Sequence, residues 1–308
     1  MMKFYKIKLK PKSFWRTPLN SDTLAGYMMW LLKLNSDSFD FIYERFINGK
    51  TPFVFSNGFP GDTITMPCHI KKYAQNLSQR SRNLRILANL EYLSLDLLDS
   101  IQNTINIEKT IDSLDVNLGE IPNFDISYHD TIQVDRQDTL SNFNHSSIIE
   151  RIHLVNVDHI TIYAAFETDE IAEIIKRNFE IMEYHGFGRG SSRGFGVFKL
   201  EDFSREKALF INDSQKQGRI ALSHFCPADG QKIPNCFEYY LKEGKIGEKA
   251  FGLDDESFDK KAIMMIKSGA FFQDYDRHTI GCIKENIAAD RGVIQLGHSV
   301  LLPTKSFE

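Results

Sequence analysis

Residues 160–200 read ITIYAAFETDEIAEIIKRNFEIMEYHGFGRGSSRGFGVFKL. Ile160, Ile162, Ala164 and Phe166 alternate with Thr161, Tyr163 and Ala165, the period-two signature of a strand. From Glu170 to Tyr184 the spacing changes: Ile171, Ile174, Ile175, Phe179 and Met182 fall on one face of a helix. A glycine-rich loop, GFGRGSSRGFG at 186–196, follows, and a strand resumes at 197–200. Strand, helix, loop and strand in this order form half of an α+β unit, so a matching half is sought upstream.

It lies at the N-terminus. In FYKIKLK (4–10), Tyr5, Ile7 and Leu9 point one way and Lys6, Lys8 and Lys10 the other, a half-buried strand with a basic open face. Pro11 and Pro18 bracket an irregular stretch. In LNSDTLAGYMMWLLKL (19–34), Leu24, Tyr27, Met28, Leu31 and Leu32 make one helical stripe, which Ser21 or Asp22 can cap. TPFVF (51–55) and the turn-rich SNGFPGD (56–62) come next, and LRILANLEYLSLDLL (84–98) reads as helix. Residues 120–146 are polar and weakly periodic, an extended insertion or long hairpin. The resulting order is a β-α-β-β-α-β ferredoxin-like domain with an insertion. Residues 201–218 read as a polar connector. A smaller unit then runs through RIALSHF (219–225), AIMMI (262–266) and GVIQLGHSVLL (292–302). The expected fold is α+β with two ferredoxin-like (RRM-like) domains of antiparallel sheets, at 1–205 and 206–308.

Composition agrees with a folded protein. Of 308 residues, 42% are hydrophobic and 25% charged, which excludes a mainly disordered, collagen-like or disulfide-scaffold chain. The net charge of −4 gives no general reason to expect nucleic acid, so such a claim rests on local charge. Cys68, Cys226, Cys236 and Cys282 form no CxxC pair and fit free thiols in a reducing cytoplasm. The stretch LAGYMMWLL at 24–32 is far shorter than a membrane span, and MMKFYKIKLKPKSFW has no signal-peptide core.

Two local features stand out against the acidic background. Residues 69–90 carry Lys71, Lys72, Arg80, Arg82 and Arg85 and no acid. That basic stretch is equally a solvated helix face or a contact to RNA or an acidic partner. The glycine-rich loop interleaves Gly186, Gly188, Gly190, Gly194 and Gly196 with Arg189, Ser191, Ser192 and Arg193. Backbone N–H groups made accessible by glycine, two hydroxyls and two guanidiniums suit a phosphodiester backbone. The bland reading is a helix-to-strand turn. The loop is neither a Walker A motif, which needs a Lys, nor GxGxxG, because the third position is Ser191 or Arg193. Phe187 and Phe195 are candidate stacking rings for bases, with Phe195 equally placed to be core.

A first strand, then TPLNSDTLAGYMMWLL, then GFGRGSSRGFGVFKL late in the first domain, resembles the RAMP superfamily of CRISPR proteins. Within it the pattern is similar to the type III-A Csm-complex subunit that caps the 5′ end of the guide RNA. HDTI at 129–132 with Arg136 is similar to that family's polar insertion, and GVIQLGHSVLLP also fits. The resemblance is weakest at 95–120 and 226–260. It implies no nuclease activity, no metal and no cofactor. It implies a 5′-handle grip by Gly186, Phe187, Gly188, Arg189, Gly190, Ser191, Ser192, Arg193 and Gly194, with Arg16, Ser21, His129, Thr131 and Arg136 as further contacts. Implied partners are the guide RNA, a large polymerase-like subunit and a backbone RAMP subunit, with the inserted thumb against the guide–target duplex. The implied location is the cytoplasm.

Two other readings stay open. One is a guide-processing endoribonuclease with a histidine as acid or base, for which His129, His145 and His185 are the candidates. The other is a backbone subunit that contacts the spacer. Asp22 is read as a helix cap rather than a catalytic acid. Cys68–His69 and His224–Cys226 hint at metal only weakly. The acidic run DDESFD (254–259) reads as solvated surface or a subunit patch.

Overall fold

The computed structural model describes residues 2–35, 38–103, 120–133, 145–211, 217–245, 259–287 and 293–305. The chain forms β1 (Lys3–Pro11), α1 (Ser21–Asn35), α2 (Ser38–Ile47), β2 (Phe53–Phe55), β3 (Phe59–Pro60) and β4 (Thr63–Thr65). It continues with α3 (Cys68–Leu77), α4 (Arg82–Asn89), β5 (Tyr92–Ser94), α5 (Leu95–Gln102), β6 (Asn123–Gln133), β7 (His145–Val155) and β8 (Ile160–Phe166). Then follow α6 (Asp169–His185), β9 (Phe198–Arg205), β10 (Gly218–Ala221), β11 (Tyr239–Lys245), β12 (Asp259–Ile266), β13 (Phe271–Phe272), β14 (Thr279–Lys284) and β15 (Gln295–Thr304).

The N-terminal sheet has the order β2–β8–β1–β9, each neighbour antiparallel, with β3 also paired to β8. Linked through α1 and α6, these strands have the split βαβ connectivity. The stripe of α1 (Leu24, Met28, Leu31, Leu32) and that of α6 (Ile171, Ile175, Phe179, Met182) share one core cluster with Ile7 and Leu9 of β1. Full burial of each such side chain stabilises by about 1.5–3 kcal/mol before the cost in chain entropy. Thr168 caps α6, accepting from the Ile171 N–H.

The lysine face of β1 is less open than the alternation predicts. Lys6 pairs with Asp62 at 2.6 Å and Lys10 with Asp158 at 2.6 Å. The same face of the sheet carries a second apolar layer, in which Phe4, Val54, Tyr163 and Ala165 meet α3–α5 and the C-terminal strands. Burial on both faces explains why every residue of β8 is buried.

The C-terminal half contains the sheet β13–β10–β15–β14 and the ribbon β11–β12. Among the described residues no α-helix follows α6, so the helical half of a second ferredoxin-like unit is not seen there. Ile220, Leu222, Phe271, Val300 and Leu302 belong to the second core layer, and Leu296 joins the first. The two halves therefore share their cores.

Four local readings are corrected. The helix expected over 84–98 breaks at Leu90, whose backbone is extended. Tyr92–Ser94 instead pairs with Thr63–Thr65, and Ser94 restarts the helix by accepting from the Leu97 N–H. The insertion is a hairpin in which Asn123 pairs with Val155 and Gln133 with His145, so it extends nine residues beyond 146. Residues 201–205, read as connector, are the end of β9, paired to β1. Asp22 opens α1, but its Oδ2 accepts from Gln295 Nε2 at 2.6 Å and pairs with Lys242 Nζ at 2.9 Å, a tertiary clasp in place of a simple cap. The acidic run at 254–258 lies outside the described residues.

No helix among the described residues is long and apolar enough to cross a membrane. All four cysteines are free thiols.

Candidate nucleic-acid interface

The glycine-rich loop is fixed to the segment between β1 and α1 rather than hanging free. The Arg189 N–H donates to Thr17 Oγ1 at 2.9 Å, the Gly196 N–H to the Phe14 carbonyl at 2.9 Å, and the Lys12 N–H to the Val197 carbonyl at 2.8 Å. Gly188 has φ +75°, and a Cβ there would lie 2.4 Å from Thr17, so only glycine lets the two segments close. A 3₁₀ turn at Ser191–Arg193, flanked by Gly190 and Gly194 in the left-handed region, turns Ser192 and Arg193 out to solvent beside exposed Arg189.

The hairpin base supplies the opposite wall. Trp15 and Ile152 exchange both backbone hydrogen bonds, at 3.3 and 2.7 Å. This bridge locks β7 against the β1–α1 segment. Because side chains alternate along a strand, Arg151 and His153 face away from Ile152 and toward the loop. The result is an open groove of about 650 Å³ lined by Lys10, Lys12, Phe14, Arg151, His153, Arg193 and Phe195.

Cations and rings interleave in it. Arg16 and Arg151 each lie 5.8 Å from the Phe195 ring, Arg151 is also 5.7 Å from Phe14, and Phe14 meets His153 edge-on at 5.9 Å. Arg16, Arg151, Arg189 and Arg193 pair with no carboxylate among the described residues. Burial, with the Arg189 and Arg193 guanidiniums nearby, holds Arg16 below the usual arginine range. Nε of Arg16, Nε of Arg151 and Nδ1 of His153 are buried with no hydrogen-bond partner among the described residues. Four clustered cations, two of them with an unused buried donor, are arranged to accept an anion, and the flanking rings can stack on flat groups.

The sequence-predicted residues divide. Arg16, Arg189, Ser191, Ser192, Arg193 and the glycines Gly188, Gly190 and Gly194 sit on the loop or against it. Phe187 is a correction: it is fully buried between Tyr27 and Phe198, at 5.3 and 6.4 Å, and offers no face to a base. Gly186 is likewise buried, its carbonyl taking the Tyr27 hydroxyl at 2.6 Å. Ser21 is buried and donates its N–H to Asn57 Oδ1. Phe195 precedes β9 and is half-buried, so it belongs to the groove and not to a buried strand. His129 is exposed on β6 opposite Ile149, on the hairpin face that carries Arg151. Thr131 pairs with Ser147 further along, and Arg136 lies outside the described residues. His185 is exposed at the end of α6 beside Trp30. Sequence reasoning missed Lys12, Phe14, Arg151 and His153. Only the last two had a signal, since residues 148–155 carry a strand alternation that the polar insertion obscured.

Among the described residues no three His, Cys, Asp or Glu side chains converge as a metal site would need. In the basic stretch, Lys72, Arg80, Arg82 and Arg85 are exposed on α3, α4 and the turn between them.

No protein-family model matches the sequence, and no curated protein matches it. The fold does match solved structures. It aligns over 99% of its length with 99% of a chain in the crystal structure of a Csm1–Csm4 cassette in complex with cA4, with a TM-score of 0.62 and 16% identity. It aligns equally with the same cassette in complex with AMPPNP, at a TM-score of 0.60 and 16% identity. Against a Csm3–Csm4 subcomplex of the type III-A CRISPR-Cas interference complex the TM-score is 0.59 at 17% identity, covering 99% of this chain and 100% of that one. The matched chain is Csm4 in both kinds of complex, so this molecule has the fold of a Csm4 chain.

Proposed function

We propose that this chain is the Csm4-like subunit of a type III-A CRISPR interference complex, an RNA-binding protein with no nuclease centre of its own. It is built on RAMP-type ferredoxin-like units. It holds the 5′ handle of the guide RNA in the groove between the glycine-rich loop and the hairpin. It bridges a large polymerase-like subunit to the backbone subunits in the cytoplasm. The observation that carries the RNA reading is the clustering of Arg16 and Arg151 at the Phe14 and Phe195 rings with Arg189 and Arg193 beside Arg16, none of the four paired with a carboxylate among the described residues. Phosphates supply the anions such a cluster lacks, and rings suit unpaired bases. The fold likeness to chains found with Csm1 and with Csm3 supports the two protein partners. The burial and ion pairing of Asp22 leave it no access to RNA, in line with a binding rather than a cutting role.

The test is to tag the chain in its host, purify it gently, and sequence the small RNA that accompanies it. Repeat-derived RNAs sharing one 5′ end, with a large subunit present, are the expected result. An intact preparation without such RNA overturns the proposal. Loss of guide maturation on replacing His129 would move the assignment to a processing nuclease.

A further inference from the structure

Cys68 and Cys236 come from opposite halves of the chain and meet in the second core layer. The turn after β12 and the start of β13 hold both. The Cys68 N–H donates to the Gly269 carbonyl at 2.8 Å, and Cys236 exchanges backbone hydrogen bonds with Phe271 at 2.8 and 3.3 Å. The ring of His69 packs on Phe271 at 4.0 Å, a second tie between α3 and the same strand. So placed, the Cys68 thiol donates a hydrogen bond to the Cys236 sulfur. Lys72, one helical turn after Cys68 on α3, donates to that sulfur as well. The hydrogen bond from Cys68 and the Lys72 charge lower the Cys236 thiol below its ordinary range against the effect of burial. The bond to Cys236 and burial raise the Cys68 thiol. Cys226 and Cys282 are placed differently: Cys282 Sγ turns to the carbonyls of Cys226 and Pro227, at 3.5 and 3.6 Å, and burial raises both thiols.

Two sulfurs in contact beside a lysine form a pair that a peroxide can oxidise. Cys68 lines a cavity of about 350 Å³ beside exposed Glu91, which admits a molecule of that size. We propose that Cys68 and Cys236 form a reversible disulfide in the presence of hydrogen peroxide, a covalent staple between α3 and the C-terminal half of the fold. The Cys236 thiolate attacks one peroxide oxygen, the O–O bond breaks, and hydroxide leaves a sulfenic acid on the sulfur. The Cys68 thiol then displaces that oxygen as water and the S–S bond forms. The hydroxide takes up the proton that Cys236 gave to solvent. Two thiols thus lose two electrons and two protons, and one peroxide becomes two waters. Sulfurs in hydrogen-bond contact reach the bond length of about 2.05 Å by turning about their own side-chain bonds. The staple joins residues far apart in sequence, where a cross-link restricts the unfolded chain most, so the oxidised protein is the more stable form.

To test this, the full-length chain is reduced, freed of reductant, treated with hydrogen peroxide and quenched with catalase. It is then blocked with iodoacetamide and digested without reduction for mass spectrometry. The expected product is a peptide containing Cys68 joined to one containing Cys236, released by dithiothreitol, while Cys226 and Cys282 carry the alkyl group. Oxidation should raise the thermal midpoint by about 5 °C or more, a shift that dithiothreitol reverses and Cys236→Ser lacks. Lys72→Met should keep the link but slow its formation roughly ten-fold, because less of Cys236 is thiolate. Should Cys236→Ser fold poorly, the peptide map of the wild-type chain decides alone. Both cysteines alkylated after peroxide, or each oxidised singly to a sulfinic acid, overturns the proposal. So does a Cys68–Cys236 link that appears only in urea, or one that joins two chains.

Discussion

Replacing Arg189 and Arg193 with alanine puts the groove to a quantitative test. Both side chains are exposed, pair with no carboxylate among the described residues, and crowd Arg16. They therefore hold little folding energy, and the double variant should keep its stability within about 0.5 kcal/mol. Binding is different. Each phosphate neutralised on a single strand contributes about −0.7 to the slope of log K against log salt. Losing two contacts flattens that slope by about 1.4. Near 0.1 M salt this corresponds to about 25-fold weaker binding, or about 2 kcal/mol. The assay is fluorescence anisotropy with a labelled single-stranded RNA carrying the handle, titrated across a series of salt concentrations. The pair Lys176→Ala and Arg177→Ala, on α6 rather than on the loop, removes the same charge and controls for the general field. If both double variants flatten the slope equally, or neither does, the loop is not the phosphate-binding element.

Other outcomes follow from single sites. Gly188→Ala forces a Cβ to within 2.4 Å of Thr17 at φ +75°, and should cost on the order of 1–3 kcal/mol in urea unfolding while weakening RNA binding; wild-type stability would refute the packing described. Asp22→Asn removes the charge facing Lys242 in a mostly buried site, and should destabilise by about 3 kcal/mol; Asp22→Asn with Lys242→Met should recover much of that, and an equal loss in the double variant would contradict the clasp. His224 is buried, stacks on Tyr240 and accepts the Ser268 N–H at 2.9 Å; burial, aided by Lys242 and Lys267 against Asp22, lowers its pKa to about 4. Its folded pKa lies below the unfolded value, so this stability is full above about pH 6.5 and falls by up to about 3 kcal/mol as pH drops to about 4. His224→Asn keeps an acceptor without the titration, so its urea midpoint should fall less over that window; a fall equal to wild type would discount His224 as the cause.

Legibility followed the range of the interaction. The helical stripe of α6, the alternation of β1 and the presence of a hairpin are local patterns, and each is written in a dozen residues. The glycine-rich loop was legible as an anion candidate for the same reason. Phe187 misled because a ring between two glycines looks exposed, whereas Tyr27, far away in sequence, covers it. Arg151 was invisible as a site residue because its partners, Phe14 and Phe195, come from two distant segments. Asp22 satisfies the local rule for a cap, yet its carboxylate is claimed by Gln295 and Lys242, near the other end of the chain. The C-terminal half was hardest, since its strands are short and their order is set by packing against the first sheet.

That clasp has a consequence for synthesis. Ribosomes deliver the N-terminus first, and α1 is complete long before Gln295 leaves the exit tunnel. Until then Asp22 lacks the partners that offset its burial, and the apolar underside of the first sheet lacks Val300, Leu302 and Leu296. The early chain is thus an uncovered half-structure with a sticky surface. Both core layers close when β15, translated after every other element described here, inserts between β10 and β14.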